Sequence, residues 1–251
     1  MWRYTSHEKL RGIMKKIFVN IELTFWLPGD LPTYEDQSGC LWRFAKTLER
    51  FGMPLENWHP PAPSPKEALA HIAFDQNGPT TFLIDQVKEA RKQNPQFPSF
   101  GVWNGAEDQR SAVFTATYDA TALCTMSFQS KGFEELSRYD TVADLVEGAL
   151  AIWPATSVEA GPSRYFSQKK VFPDRPGVGW MLYLPRRIEI SEVPDARMLR
   201  HVRDCSGREG TIIVSEIDGV FTMDDVEHVE RANRIEMRLA DQDLLPRYGE
   251  I

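Results

Sequence analysis

Apolar positions along this chain change period several times, and each change predicts an element. Ile17, Val19, Ile21 and Leu23 alternate with Phe18, Asn20, Glu22 and Thr24, the period of a strand with one buried face, running to about Trp26 before Pro28, Gly29 and Pro32 stop it. Leu41, Phe44, Leu48 and Phe51 fall instead at helical spacing, with Arg43, Lys46, Glu49 and Arg50 around the other side. They predict an amphipathic helix from about Asp36 to Phe51, closed by Gly52 and Pro54. A proline-rich loop, His59 to Pro65, leads into a helix start with Ser64 as N-cap, Pro65 at the first position and Glu67 completing a capping box; this helix is expected to end at Asn77-Gly78. Leu83, Val87 and Ala90 mark a further helix, about Thr80 to Lys92. Phe100–Asn104, Ala112–Tyr118 and Leu123–Phe128 then read as an antiparallel meander with turns at Asn104-Gly105 and Asp119-Ala120.

In the second half, Asp140 caps a helix whose buried stripe is Val142, Leu145, Val146, Ala149 and Trp153, ended by Pro154. Glu159 to Pro176 reads as a linker or long ordered loop. The turn-forming Phe172-Pro173-Asp174-Arg175-Pro176-Gly177 then opens the run Val178 to Leu184, a core strand stopped by Pro185. Ile188 and Ile190 suggest a short strand. Met198, Leu199 and Val202 suggest a helix within Pro194–Asp204, and Thr211–Val214 is a strand. Thr222 with Asp225 three residues on forms a capping box for a last helix, with Val226, Val229, Asn233, Met237 and Ala240 down its buried face to Leu244. Strands and helices are clustered and do not strictly alternate, so the expected class is α+β: mainly antiparallel sheet with helices packed on one face. Met14-Lys15-Lys16-Ile17 reads as a second start, which sets off an extension 1–13; the remainder is expected as two α+β subdomains, 14–135 and 136–251, or as one continuous domain.

Composition narrows the function. A net charge of -7 over 251 residues opposes general nucleic-acid binding, which draws its affinity from clustered Lys and Arg. Cys40, Cys124 and Cys205 are three, odd in number and in no metal-ligand spacing, so neither a disulfide framework nor a zinc site is indicated and a reducing, cytoplasmic setting is expected. Ile17 to Leu27 is too short to span a bilayer and carries no cleavage site of a signal peptide. No cofactor motif is found: Gly177-Val178-Gly179 lacks the third glycine of a dinucleotide loop, and His7, His59, His71, His201 and His228 are scattered singly.

Two enzyme readings compete with binding. Pro194-Asp195 followed by Ser215-Glu216-Ile217-Asp218 imitates the metal-binding acids of a restriction-type nuclease, but the lysine that should follow is missing, since no lysine occurs after Lys170. An acid pair such as Asp174 and Glu216 is the alternative for a small-molecule enzyme. Charge is the stronger signal: Glu216, Asp218, Asp224, Asp225, Glu227 and Glu230 fall between positions 216 and 230 with no Lys or Arg among them. Such a run is either a solvated helix face or a lure for a basic partner. Trp58, in the proline-rich loop, is the aromatic residue expected to join these acids in contacting a partner.

The run into Trp180-Met181-Leu182-Tyr183-Leu184-Pro185, followed by Gly210 to Val214 and a closing acidic helix, resembles the immunity protein 52 family. The resemblance spans about Met14 to Leu245, is most specific between Val171 and Pro246, and rests on the succession of elements, without catalytic residues. It implies an antitoxin and not an enzyme: an immunity protein of a bacterial polymorphic toxin system that neutralises a secreted nuclease toxin of restriction-endonuclease type by stoichiometric binding. The partner would resemble a type VI secretion effector such as TseT, with no direct contact to nucleic acid or membrane.

Overall fold

The computed structural model describes residues 17–250, so the expected extension 1–13 lies outside the described residues. In chain order the elements are strand β1 (Phe18–Phe25), helix α1 (Tyr34–Leu48), the one-turn helix α2 (Pro65–Ala68), the small hairpin β2 (Phe74–Asp75) and β3 (Gly78–Pro79), and helix α3 (Thr81–Gln93). Strands β4 (Ser99–Trp103), β5 (Ser111–Thr117) and β6 (Cys124–Lys131) follow, then helix α4 (Tyr139–Leu150), strand β7 (Ala155–Gly161) and helix α5 (Ser163–Gln168). The chain continues through β8 (Met181–Leu184), β9 (Met198–Arg203) and β10 (Glu209–Val214) to helix α6 (Val226–Asp241). Eight strands form one antiparallel sheet in the order β4-β5-β6-β1-β7-β8-β10-β9. The fold is α+β, and the sheet runs unbroken past residue 135 through the pairing of β1 with β7.

Cross-strand register sorts the side chains onto two faces, because directly opposed residues point the same way. Val19, Ile21, Leu23 and Phe25 share one face with Phe114, Phe128, Val158 and Tyr183. Helices α1 and α4 pack here, and their aromatic centre is Phe44, in edge contact with Phe114 at 5.1 Å, Phe128 at 5.9 Å and Trp153 at 5.6 Å. Arg200 of β9 reaches Asp144 and Glu147 of α4 from the same face, at 2.6 Å each. On the opposite face one row crosses all eight strands: Gly101, Thr115, Ser127, Glu22, Glu159, Leu182, Ile213, Leu199. Its first four members are exposed or half-exposed, while Glu159, Leu182 and Ile213 are buried. The cover ends between β1 and β7.

What covers the C-terminal half of that face is α5, the loop 171–180, α6 and the residues after it. Glu236 of α6 accepts hydrogen bonds from the Tyr165 hydroxyl (2.7 Å) and the Val171 and Val178 amides (2.7 and 2.8 Å). Glu159 accepts from the Gly177 amide (2.6 Å) and the Tyr248 hydroxyl (3.1 Å). Two buried carboxylates thus fasten the turn 171–178 to sheet and helix. Gly179 has φ +51°, and a Cβ there would sit 2.6 Å from the Phe166 ring, so both conformation and space demand glycine.

Several elements depart from the sequence reading. Half of the expected linker 159–176 is structured, as the end of the central strand β7 and as α5. Strand β7 escapes notice because Ser157 and Glu159 interrupt its apolar residues; both are buried, Ser157 within 2.9 Å of Thr24 across the sheet. The expected helix within 194–204 is strand β9, whose Met198, Arg200 and Val202 share one face. Spacing alone could not separate this alternation from a helical pattern, but Asp204 decides it: its carboxylate accepts the Ser206 and Arg208 amides and shapes the hairpin into β10. Ile188 and Ile190 form no strand. The helix from Ser64 stops after one turn, although Ser64 caps it through the Glu67 amide as expected. Helix α6 begins at Val226, with Asp225 and not Thr222 as its N-cap. Its buried residues are Ala232, Ile235, Glu236 and Leu239; Val226 and Met237 are exposed, because the buried face includes a glutamate that no apolar periodicity reveals.

Candidate protein-interaction surface

Structure divides the six acids and one tryptophan expected at the interface. Trp58 is fully buried: its ring lies 4.7 Å from Phe114 and its carbonyl accepts the Ala73 amide. It belongs to the core beneath α1 and offers nothing to a partner. Its proline-rich surroundings look like an exposed loop, yet the loop folds back against β4 through the His59–Trp103 bridge. Glu216 is also buried, at 4% exposure, bound to Arg231 and His228 and accepting the amides of Ile217 and Asp218. Burial pushes its carboxyl up, but the Asp218 amide, Arg231 and His228 outweigh this and hold it below the usual carboxylate range. It is an anchor for the chain entering α6.

The other acids are on the surface, and the fold supplies partners that the local sequence lacks. Asp218 pairs with Arg197 at 2.6 Å; Glu227 pairs with Arg231 at 3.3 Å and Arg234 at 3.0 Å. Asp225 caps α6 and lies 3.7 Å from His228. Asp224 and Glu230 are exposed and enter none of the ion pairs found among the described residues. The lure is therefore narrower than the sequence suggests: Asp224 and Glu230 keep an unbalanced charge, with Asp225 only loosely held. Asp174 and Glu216 are engaged in separate ion pairs, Asp174 with Arg247 and Glu216 with Arg231, and Asp195 pairs with Arg234.

Asp224 stands at the edge of a cleft of about 430 Å³ whose apolar wall is Phe18, Pro162, Phe221 and Met223, with Arg164 exposed at its rim. Phe18 is 41% exposed and also lines a shallower hollow of about 200 Å³ with Trp103, Ala106, Val113, Gln129 and Lys131. Phe18 thus lines both hollows, one beside the segment before α6 and the other on the outward face of the sheet. Neither cleft nor open face was apparent in the sequence. Phe18 and Val113 are the signal that was there: each is an apolar residue in the outward phase of its strand.

Burial raises the Glu159 carboxyl to about 7, against the lowering effect of the Gly177 amide and Lys170. Burial likewise raises Glu236. Both carboxylates are already engaged by backbone amides and tyrosine hydroxyls, so this cluster reads as a staple for the turn 171–178. Among the described residues no three His, Cys, Asp or Glu side chains converge as metal ligands, and no helix is long and apolar enough to cross a membrane.

No protein-family model and no curated protein matches the chain. Among solved structures, the Pseudomonas aeruginosa T6SS protein PA0821 is similar in fold, with a TM-score of 0.53 at 12% sequence identity over 89% of this chain and 73% of that one.

Proposed function

We propose that this chain is an immunity protein, an antitoxin of the kind seen in the immunity protein 52 family, which neutralises a secreted nuclease toxin by stoichiometric binding in the cytoplasm of the cell that makes it. The observation that carries this reading is the apolar cleft of Phe18, Phe221 and Met223 bordered by Asp224, with Asp225 and Glu230 close by in sequence at the start of α6. An apolar seat with the unpaired acids Asp224 and Glu230 on one side, and Arg164 at its rim, is complementary to a largely basic protein: burial supplies affinity, and the acids speed encounter. A nuclease must carry a positive surface for its substrate, so an acidic binder can occupy or overlap that surface without chemistry of its own. Net charge of -7 supports the same direction. The fold likeness to a type VI secretion protein supports the secretion setting and does not identify the toxin.

The test is direct. The protein encoded beside this chain, purified in an inactivated form, is titrated into it by calorimetry, and the active form is expressed with and without it. The expected result is saturation at a fixed ratio, with growth restored by co-expression. Absence of a complex at micromolar concentrations, or a complex that leaves toxicity untouched, overturns the proposal.

A further inference from the structure

We infer that a basic protein partner docks on the half of the sheet that the described residues leave uncovered, the outward face of β4-β5-β6-β1, and lays an amphipathic helix there beside the layer that closes the other half. This rests on the function proposed above and names the partner's seat. The molecule itself shows what such a face accepts: across the β1–β7 seam the same face is covered by the turn 171–178 and Tyr248, which bind Glu159 of β7, and Glu236 of α6 holds that turn in place. The uncovered part is a plane of four strands about 4.8 Å apart and some seven residues long, roughly 19 by 23 Å. That is about half of the ~800 Å² that each side of a stable complex buries. The cleft beyond Phe18 extends it toward α6.

Its chemistry is not that of a face left to water. Trp103 and Val113 lie in one register row, and Phe18 borders them on β1. Val113 is 38% exposed and Phe18 41%, and together they line a hollow that gives an apolar anchor somewhere to sit. Acids surround this strip: Glu22 on β1 at the border of the face, Glu107 and Asp108 exposed in the turn from β4 to β5, and Asp224 at the cleft, against the bases Lys131 and Arg164 and against Arg110, which is paired with Glu135. This excess of negative charge selects a basic occupant. A second copy of the chain would bring the same acids against one another, an arrangement that interfaces avoid.

Charge sign at Val113 provides the test. Its side chain projects from the bare face, so substitution there leaves the core intact. Binding of the inactivated protein encoded beside this chain is measured by surface plasmon resonance for the parent, Val113→Lys, Val113→Glu and, as a control on the far end of α3, Gln93→Lys. The expected result is at least tenfold weakening by Val113→Lys, clearly less by Val113→Glu, and under twofold by Gln93→Lys, with all melting temperatures within a few degrees of the parent. If the parent does not bind, the proposed function falls and the seat with it. If the parent binds and Val113→Lys stays within twofold, the seat is wrong while the function stands. Equal or greater weakening by Val113→Glu overturns the basic partner. A dimer in sedimentation that Val113→Lys dissociates assigns the face to a second copy instead.

Discussion

In the C-terminal half of the sheet every residue of β8 is buried, Met181 to Leu184, because both faces are covered; in the N-terminal half β5 alternates strictly, with Ala112, Phe114 and Ala116 in and Ser111, Val113, Thr115 and Thr117 out. Both halves belong to one hydrogen-bonded sheet, so the contrast owes nothing to strand pairing. It comes from what lies above. Over the C-terminal half, the chain spends α6 and the buried carboxylates Glu236 and Glu159 on closing the second face. Over the N-terminal half it leaves serine, threonine and glutamine, with an apolar strip at one end. A protein that needed only stability would gain by covering both halves. One that must bind needs a prepared face.

The largest consequence of this contrast is in tolerance to truncation. Trp180→Ala empties a fully buried aromatic site and leaves the Glu216 carbonyl without its indole donor, 2.9 Å away. A loss of about 3–5 kcal/mol in urea unfolding is expected, against a change within about 0.5 kcal/mol for Val113→Ala. Similar losses at both sites would mean that the two halves are equally covered. Next in size is a pH effect confined to the covered half. Glu159 has its carboxyl raised from 4.5 to about 7 by burial, so the folded state holds a proton that the unfolded state has released between those values. Stability from this group is therefore fully present below pH 4.5, declines as pH rises through about 7, and is flat above; the total is about 3 kcal/mol. Subtracting the stability profile of Glu159→Gln from that of the parent should expose that slope, and a flat difference would remove the assignment.

Glu236→Ala tests the staple itself. Removing the acceptor of the Val171 and Val178 amides should cost about 2 kcal/mol, since both amides lose their partner while the Tyr165 hydroxyl keeps Asn233 as an acceptor at 2.8 Å. Amide exchange should quicken between residues 171 and 178 while β4 to β6 are unchanged. The smallest effect on stability is expected at Glu230, exposed on α6. Glu230→Lys should leave the melting temperature within about a degree, since surface substitutions free of such contacts are nearly neutral. It should slow association with the toxin by a factor of about 2–5 at low salt, and the difference should vanish at high salt.

The same contrast decides what could be read from the residues alone. Strands with one wet face announce themselves: β1 and the meander β4 to β6 were legible from alternation, as was α1 from its apolar stripe. Strand β7 was not, because its outward residues are covered and include a buried glutamate; nor was β9, whose Arg200 is satisfied by acids far away in sequence on α4. The acidic run was legible as composition only. Its neutralising partners, Arg197 and Arg234, and its buried member, Glu216, depend on tertiary contacts. Trp58 failed for the reverse reason, since a proline-rich loop is commonly exposed and this one is folded under the sheet's edge.

The position of β1 bears on how the chain acquires its fold. It is the first described element to leave the ribosome, yet it sits at the centre, and its two neighbours are β6 and β7: Ile21 faces Phe128 on one side and Ala160 on the other. Until residue 131 has emerged, β1 has neither partner, and until residue 161 one of its edges remains open. Such long loop closures make folding slow, and an apolar strand waiting with free edges is prone to pair with the wrong chain. Nascent chains halted before residue 131, with both edges of β1 free, should therefore be the species most dependent on chaperones, and those halted between 131 and 161 less so.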